Sequence, residues 1–280
     1  MQNQVIFKSA AGRDAILDIY DSVLARWQVP YRPVELPTRY GRTFVIASGI
    51  ESTPPLVLLH GSGSNSAMWI GDFPLYTSKY RVYAVDIPGE PGKSEAVRAP
   101  LKGPACEQWL ADVLDALRVD KTALVGISLG AWFALKFATA NPERVDKLVL
   151  LCPSGIVTQK VSFTLLAALM MLTGRRGIER MTRIVNGNQA VPEEAIRYTR
   201  LIMENFSPRM DIMPLFSDEE LGRLCMPVLL IVGAKDALLP SRKTARRLSG
   251  LLPHAEVVLL PESGHVLIDQ SKRVMRFLSS

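Results

Sequence analysis

The sequence predicts an α/β fold: a mostly parallel, doubly wound sheet carrying an inserted helical cap. Three observations lead there. Short, wholly apolar runs recur along the chain, as expected of strands buried on both faces of a parallel sheet. Helix-like segments separate them. One interval, between "VLLCPSG" and "PVLLIVG", holds about 70 residues with helix signals and no strand, several times the usual connection.

Taken in order, Ile16, Ile19, Tyr20, Val23, Leu24 and Trp27 recur at helical spacing, so residues 1–30 are expected to place an amphipathic helix on the main body. "TFVIAS" reads as the first strand. After Pro54 and Pro55 come "LVLLH", "YRVYAVD", "TALVG", "VDKLVLL", "PVLLIVG" and "AEVVLL". Helices are expected over 67–80, 105–119, 131–140, 240–251 and 268–278. In the long interval, Val191-Pro192-Glu193-Glu194 has the proline and acids of a helix start. Ser217 with Glu220 three residues on is a capping box. Residues 156–216 are therefore read as a helical cap inserted into a core of 1–155 and 217–280. Its "VSFTLLAALMMLTG" run is too short for the roughly 20 residues that span a bilayer and reads as a buried or pocket-lining helix.

Composition excludes several classes. With 280 residues, 48% hydrophobic and 21% charged, the chain can bury a large core and is neither disordered nor fibrous. Cys106, Cys152 and Cys225 are odd in number and widely spaced, so neither a disulfide framework nor a zinc site is expected. The N-terminus carries charges throughout instead of an apolar leader core, which predicts a cytoplasmic protein without an integral membrane segment. A formal charge of +6 is scattered except in "SRKTARRL" (241–248), a solvated helix face in a chain with no nucleic-acid motif.

Chemistry centres on Gly126-Ile127-Ser128-Leu129-Gly130. This G-x-S-x-G pattern arises by accident in roughly one chain in ten of this length, so spacing alone decides nothing. Its context does more: it lies between strand "TALVG" and a helix, where a sharp turn would lift the Ser128 hydroxyl above the sheet. A serine hydroxyl needs a base. Of three histidines, His254 lies at the wrong strand end and His60 suits a structural turn. His265 follows the last strand and would overhang the Ser128 edge. Asp236, just past "PVLLIVG", can hold its imidazole, whereas the equivalent position after "KLVLL" reads Cys152-Pro153-Ser154 and offers no carboxylate. The glycines of "HGSGSNS" let amides approach a substrate, and those of Ser62 and Leu129 are the oxyanion candidates. A phosphate cradle would need spacing that this loop lacks.

With these residues in view, the chain resembles the α/β-hydrolase superfamily, and within it the capped carboxylesterases of the bacterial naproxen-esterase type. The segments "PPLVLLHG", "YAVDIPGEPGKS", "VGISLGAW", "NPERVDKLVLLCPSG" and "SGHVL" carry the likeness. It implies an α/β-hydrolase fold and hydrolysis of carboxylic esters by Ser128, His265 and Asp236, with a small-molecule ester as partner and no cofactor or metal. The usual D-x-x-G-x-G-x-S turn departs here: Asp86 to Ser94 has one extra residue between its glycines, and Asp86 is read as structural. Six methionines in the cap, Met170, Met171, Met181, Met203, Met210 and Met213, point to apolar acyl or aryl groups. The same residues would also serve a carbon–carbon bond hydrolase, a thioesterase, or a ligand sensor with slow turnover.

Overall fold

The structure is a computed structural model that describes residues 6–160, 166, 170 and 173–280. Among them, eight strands form one sheet in the order β1-β2-β4-β3-β5-β6-β7-β8. The strands are β1 (Tyr31–Thr38), β2 (Gly41–Ser48), β3 (Pro55–Leu59), β4 (Arg81–Val85), β5 (Thr122–Ile127), β6 (Val145–Leu151), β7 (Val228–Gly233) and β8 (Glu256–Leu260). From β4 to β8 all neighbours are parallel, while β2 pairs antiparallel with both β1 and β4. The chain passes from β3 outward to β4 and then back across to β5 on its other side. The crevice beyond the C-terminal ends of β3 and β5 is thus a topological switch point, where open α/β sheets bind ligands.

Alternation along each strand divides the core in two. Val57, Leu59, Leu124, Leu148 and Leu230 face one layer, formed by α3 (Ala105–Ala116), α4 (Leu129–Ala140) and the helix Ser241–Leu251. Leu56, Leu58, Val125, Val149 and Ile231 face the other, where α1 (Ala10–Ala25), Trp69, Phe73 of the short α2 (Phe73–Tyr76) and the helix Ser271–Leu278 pack. β3, β5 and β7 are buried along almost their whole length, which is why they read as uninterrupted apolar runs.

β1 was not expected from the sequence. Pro33 and Pro37 interrupt its pattern, and they are tolerated because β1 is an edge strand with only β2 beside it. The helix expected over 67–80 is instead a 3₁₀ turn, Ser66–Trp69, and a four-residue helix, Phe73–Tyr76, whose first turn holds Pro74. The last helix begins at Ser271, since Asp269 just before it adopts φ 57°. The capping box forms: Ser217 Oγ accepts from Glu220 N at 3.1 Å and Glu220 Oε2 from Ser217 N at 2.8 Å. In the basic run, Arg242, Lys243 and Arg246 are exposed, but Arg247 turns inward.

After β6 the chain leaves the sheet and returns at one spot. Phe216 N donates to Gly155 O at 2.9 Å, and the Arg247 guanidinium donates to Ile156 O and, at 2.8 Å, to Phe216 O. Among the described residues between these feet are two helices, Arg175–Val185 and Glu193–Asn205. Only Leu166, Met170, Thr173 and Gly174 of the apolar run 161–174 are described, so the helix expected there lies outside the described residues, as does Met171. The 193–205 helix packs on α1. Ile6, Ile16, Ile202 and Phe206 form a small core between them, and Lys8 N donates to Asn205 O at 2.9 Å. Further along the same buried stripe of α1, Tyr20 and Leu24, with Trp27 just beyond the helix, enter the main core. None of the described helices is long and apolar enough to cross a membrane.

Candidate active site

Ser128 occupies the single residue between β5 and α4, with φ 53° and ψ −109°. A non-glycine residue there carries on the order of 1–3 kcal/mol of strain, which the surroundings must impose. They do so through two tight approaches. A Cβ on Gly126 would lie 2.5 Å from Gly130 O, and one on Gly130 would lie 2.2 Å from Leu59 O. Both flanking glycines are therefore required by backbone contacts, and with them the sharp turn. Ser128 N donates to Leu151 O at 2.8 Å, fastening the turn to β6.

The structure brings the three sequence-read side chains together. His265 Nε2 lies 2.9 Å from Ser128 Oγ, and His265 Nδ1 lies 2.8 Å from Asp236 Oδ2. In the neutral tautomer that satisfies both contacts, Nδ1–H donates to Asp236 and Nε2 accepts from the serine hydroxyl. Asp236 is 2% exposed, and its other oxygen accepts from Leu238 N and Leu239 N at 2.8 and 2.9 Å. Burial opposes its ionisation, but the bond and charge of His265 and these two amides outweigh it, holding the carboxyl below its usual range. Cys152, at φ 44°, puts its thiol against this carboxylate; burial and that negative charge push the thiol's pKa far up. Cys152, Asp236 and His265 cluster tightly enough to hold a metal. Both imidazole nitrogens are already engaged, one by Asp236 and one by Ser128, an arrangement suited to passing a proton.

The His265 loop rests on the inserted segment. His265 N donates to Val185 O at 2.8 Å, at the end of the 175–185 helix. A Cβ on Gly187 would lie 2.7 Å from Gly264 N, and one on Gly233 would lie 2.0 Å from Gly264 O. Three backbones thus meet at Gly264: the insertion, the histidine loop and the end of β7. No sequence signal short of the glycines themselves marks this contact.

The loop after β3 lies beside Ser128. A Cβ on Gly61 would stand 3.8 Å from Ser128 Cβ, which places Ser62 next to the serine. Leu129 N opens α4, where no carbonyl of its own helix can accept it. Neither this amide nor that of Ser62 donates to any group among the described residues. His60 is structural: its Nε2 accepts from Ile87 N at 2.9 Å, its Nδ1 meets Gly61 O at 2.8 Å, and burial lowers its pKa. Asp86 is also structural, accepting from Tyr20 Oη, Ser66 N and Lys93 N. Asn65 reaches the insertion, donating to Tyr198 Oη at 2.8 Å, and Ile202 of the same helix faces Gly63. His254 is exposed. A cleft of about 650 Å³ lined by Arg32, Arg81, Tyr83 and Arg118 lies at the opposite strand edge and includes none of these groups.

Residues 56–277 match the α/β-hydrolase family. The chain belongs to that family. As an α/β hydrolase it is similar to the Bacillus subtilis protein named uncharacterized carboxylesterase nap, with 33% identity covering 93% of this chain and 91% of that one. Among solved structures, naproxen esterase (carboxylesterase NP) from Bacillus subtilis superposes with a TM-score of 0.85 at 31% identity, covering 97% and 99% of the two chains. Carboxylesterase CesB (YbfK) from the same organism also gives 0.85, at 29% identity, over 97% and 98%.

Proposed function

We propose that this α/β hydrolase is a serine carboxylesterase. The observation that carries this reading is the unbroken contact from Asp236 through His265 to Ser128 Oγ, at 2.8 and 2.9 Å; the carboxylesterase relatives support it. Ser128 Oγ attacks the ester carbonyl while His265 Nε2 takes its proton, and the amides of Ser62 and Leu129 stabilise the oxyanion. Collapse breaks the C–O bond, and the alcohol leaves with the proton from His265. Water then attacks the acyl-enzyme, giving its proton to His265, and the acid departs as the proton returns to Ser128. Asp236 orients the imidazole and stabilises the imidazolium.

Residues 156–216 act as the cap. Ile202 and Tyr198 bring it against the oxyanion loop, and its apolar and methionine side chains favour small to medium esters with apolar acyl or aryl groups. The three unpaired cysteines fit a cytoplasmic setting.

Ser128→Ala is expected to fold with an unchanged melting temperature and to lower hydrolysis of a simple aryl ester by roughly 10⁴-fold or more. Retention of most activity would overturn the assignment. A panel of esters of rising acyl length, an acyl thioester and a β-diketone checks the substrate class. The fastest turnover is expected on apolar esters. A preference for the thioester or the diketone would reassign the reaction, and saturable binding without turnover would make the chain a sensor.

A further inference from the structure

Glu90 has no part in the mechanism above, yet its environment is unusual. It is 2% exposed, and it lies in the stretch Gly89-Glu90-Pro91-Gly92, where the turn is one residue longer than the usual D-x-x-G-x-G-x-S pattern. Tight turns fix it: Glu90 N donates to Ile87 O at 3.2 Å and Gly92 N to Glu90 O at 2.8 Å. Its side chain crosses to the loop after β3, where Oε2 accepts from Gly63 N at 2.7 Å and from Ser62 Oγ at 3.4 Å.

A buried carboxyl is costly unless its bonds hold something in place. Burial pushes the pKa of Glu90 up to about 7, against the pull of the Gly63 amide, the charges of Arg98 and Arg209, and the Ser62 hydroxyl. Arg209 is itself committed to Asp211 and to Ala99 O. The two guanidiniums offset the carboxylate's charge, so its negative field does not fall unopposed on the oxyanion site.

Resting on the serine-esterase reading, we propose that Glu90 is a positioning residue: by holding the Gly63 amide and the Ser62 hydroxyl, it sets the angle at which the Ser62 N–H faces the oxyanion. Gly63 has φ 65°, a conformation open to a freely turning glycine, so without Glu90 neither the Gly63 amide nor the Ser62 side chain is held, and the Gly61–Ser62 peptide that carries the Ser62 N–H can turn with them. Rotation would misdirect a donor that acts in the transition state, which lowers kcat and spares KM.

The test compares wild type with Glu90→Ala and Glu90→Gln on one activated aryl ester. It adds affinity for phenylboronic acid, whose tetrahedral serine adduct uses the oxyanion site, and amide exchange over residues 60–65. Losing one oxyanion donor outright costs about 10²–10³-fold, so loosening one is expected to lower kcat about 10-fold or more in Glu90→Ala. KM should stay within about 2-fold, boronate affinity should fall with kcat, and exchange at 60–65 should quicken. Glu90→Gln keeps an acceptor oxygen but loses the charge that the arginines balance, and is expected to lose about 3-fold. Labelling of Ser128 by an organophosphonate, with inactivity of Ser128→Ala, checks the underlying reading separately. If that labelling holds while Glu90→Ala matches wild type in kcat and boronate affinity, or raises only KM, the positioning role is overturned. If labelling fails, the esterase reading and this role fall together.

Discussion

Ser128 and His265 touch, but different parts of the molecule hold them. The serine turn is clamped from within the sheet: β3 presses on Gly130, β6 accepts its amide, and α4 follows directly. The histidine loop is seated on the inserted segment through Val185 O and Gly187, with β7 beneath it. Damage to the first support should therefore appear as lost stability, and damage to the second as lost catalysis in a folded protein.

Gly130→Ala is the severest way to break this contrast. Its methyl would meet the Leu59 and His60 carbonyls at 2.2 and 2.5 Å, and backbone at a sheet centre cannot yield cheaply. A loss of about 3 kcal/mol or more in denaturant unfolding is expected; near wild-type stability would show that the clamp is softer than its distances imply.

Glu90→Gln sharpens the same side. Because folding raises this carboxyl's pKa from 4.5 to about 7, the stability of the wild type is favoured while the group stays protonated and is lost as pH rises through that window. The glutamine variant has no such loss, so its stability relative to wild type should climb between pH 4.5 and about 7 and level off above it. The rise is bounded by about 3 kcal/mol. Parallel curves of stability against pH would remove the buried ionisation.

Gly187→Ala probes the other support. A Cβ there strains φ 68° and lies 2.7 Å from Gly264 N, next to His265. The expected result is a kcat about 10-fold lower, equal to about 1.4 kcal/mol, with a melting temperature shifted by only a few degrees. A stability loss with kcat intact would place the histidine's support elsewhere.

The same division explains what could be read from sequence. β3, β5, β6 and β7 were legible because burial on both faces confines polar residues such as Thr122, Asp146 and Lys147 to the strand starts and leaves the rest of each run apolar. β1 was hidden because an edge strand tolerates Pro33 and Pro37 and is half exposed. Ser128, Asp236 and His265 could be placed because each follows a strand end, so topology alone puts them at one rim. Glu90 and the Gly187–Gly264 approach could not: each depends on loops far apart in the chain, and no local pattern announces a meeting of that kind.

Gly155 and Phe216 meet through one hydrogen bond, and Arg247 grips both ends. A detour that starts and finishes at a single gatepost imposes no length on what it encloses. The length of that detour is thus set independently of the sheet, but any exchange must keep Val185 and Gly187, on which the His265 loop is seated.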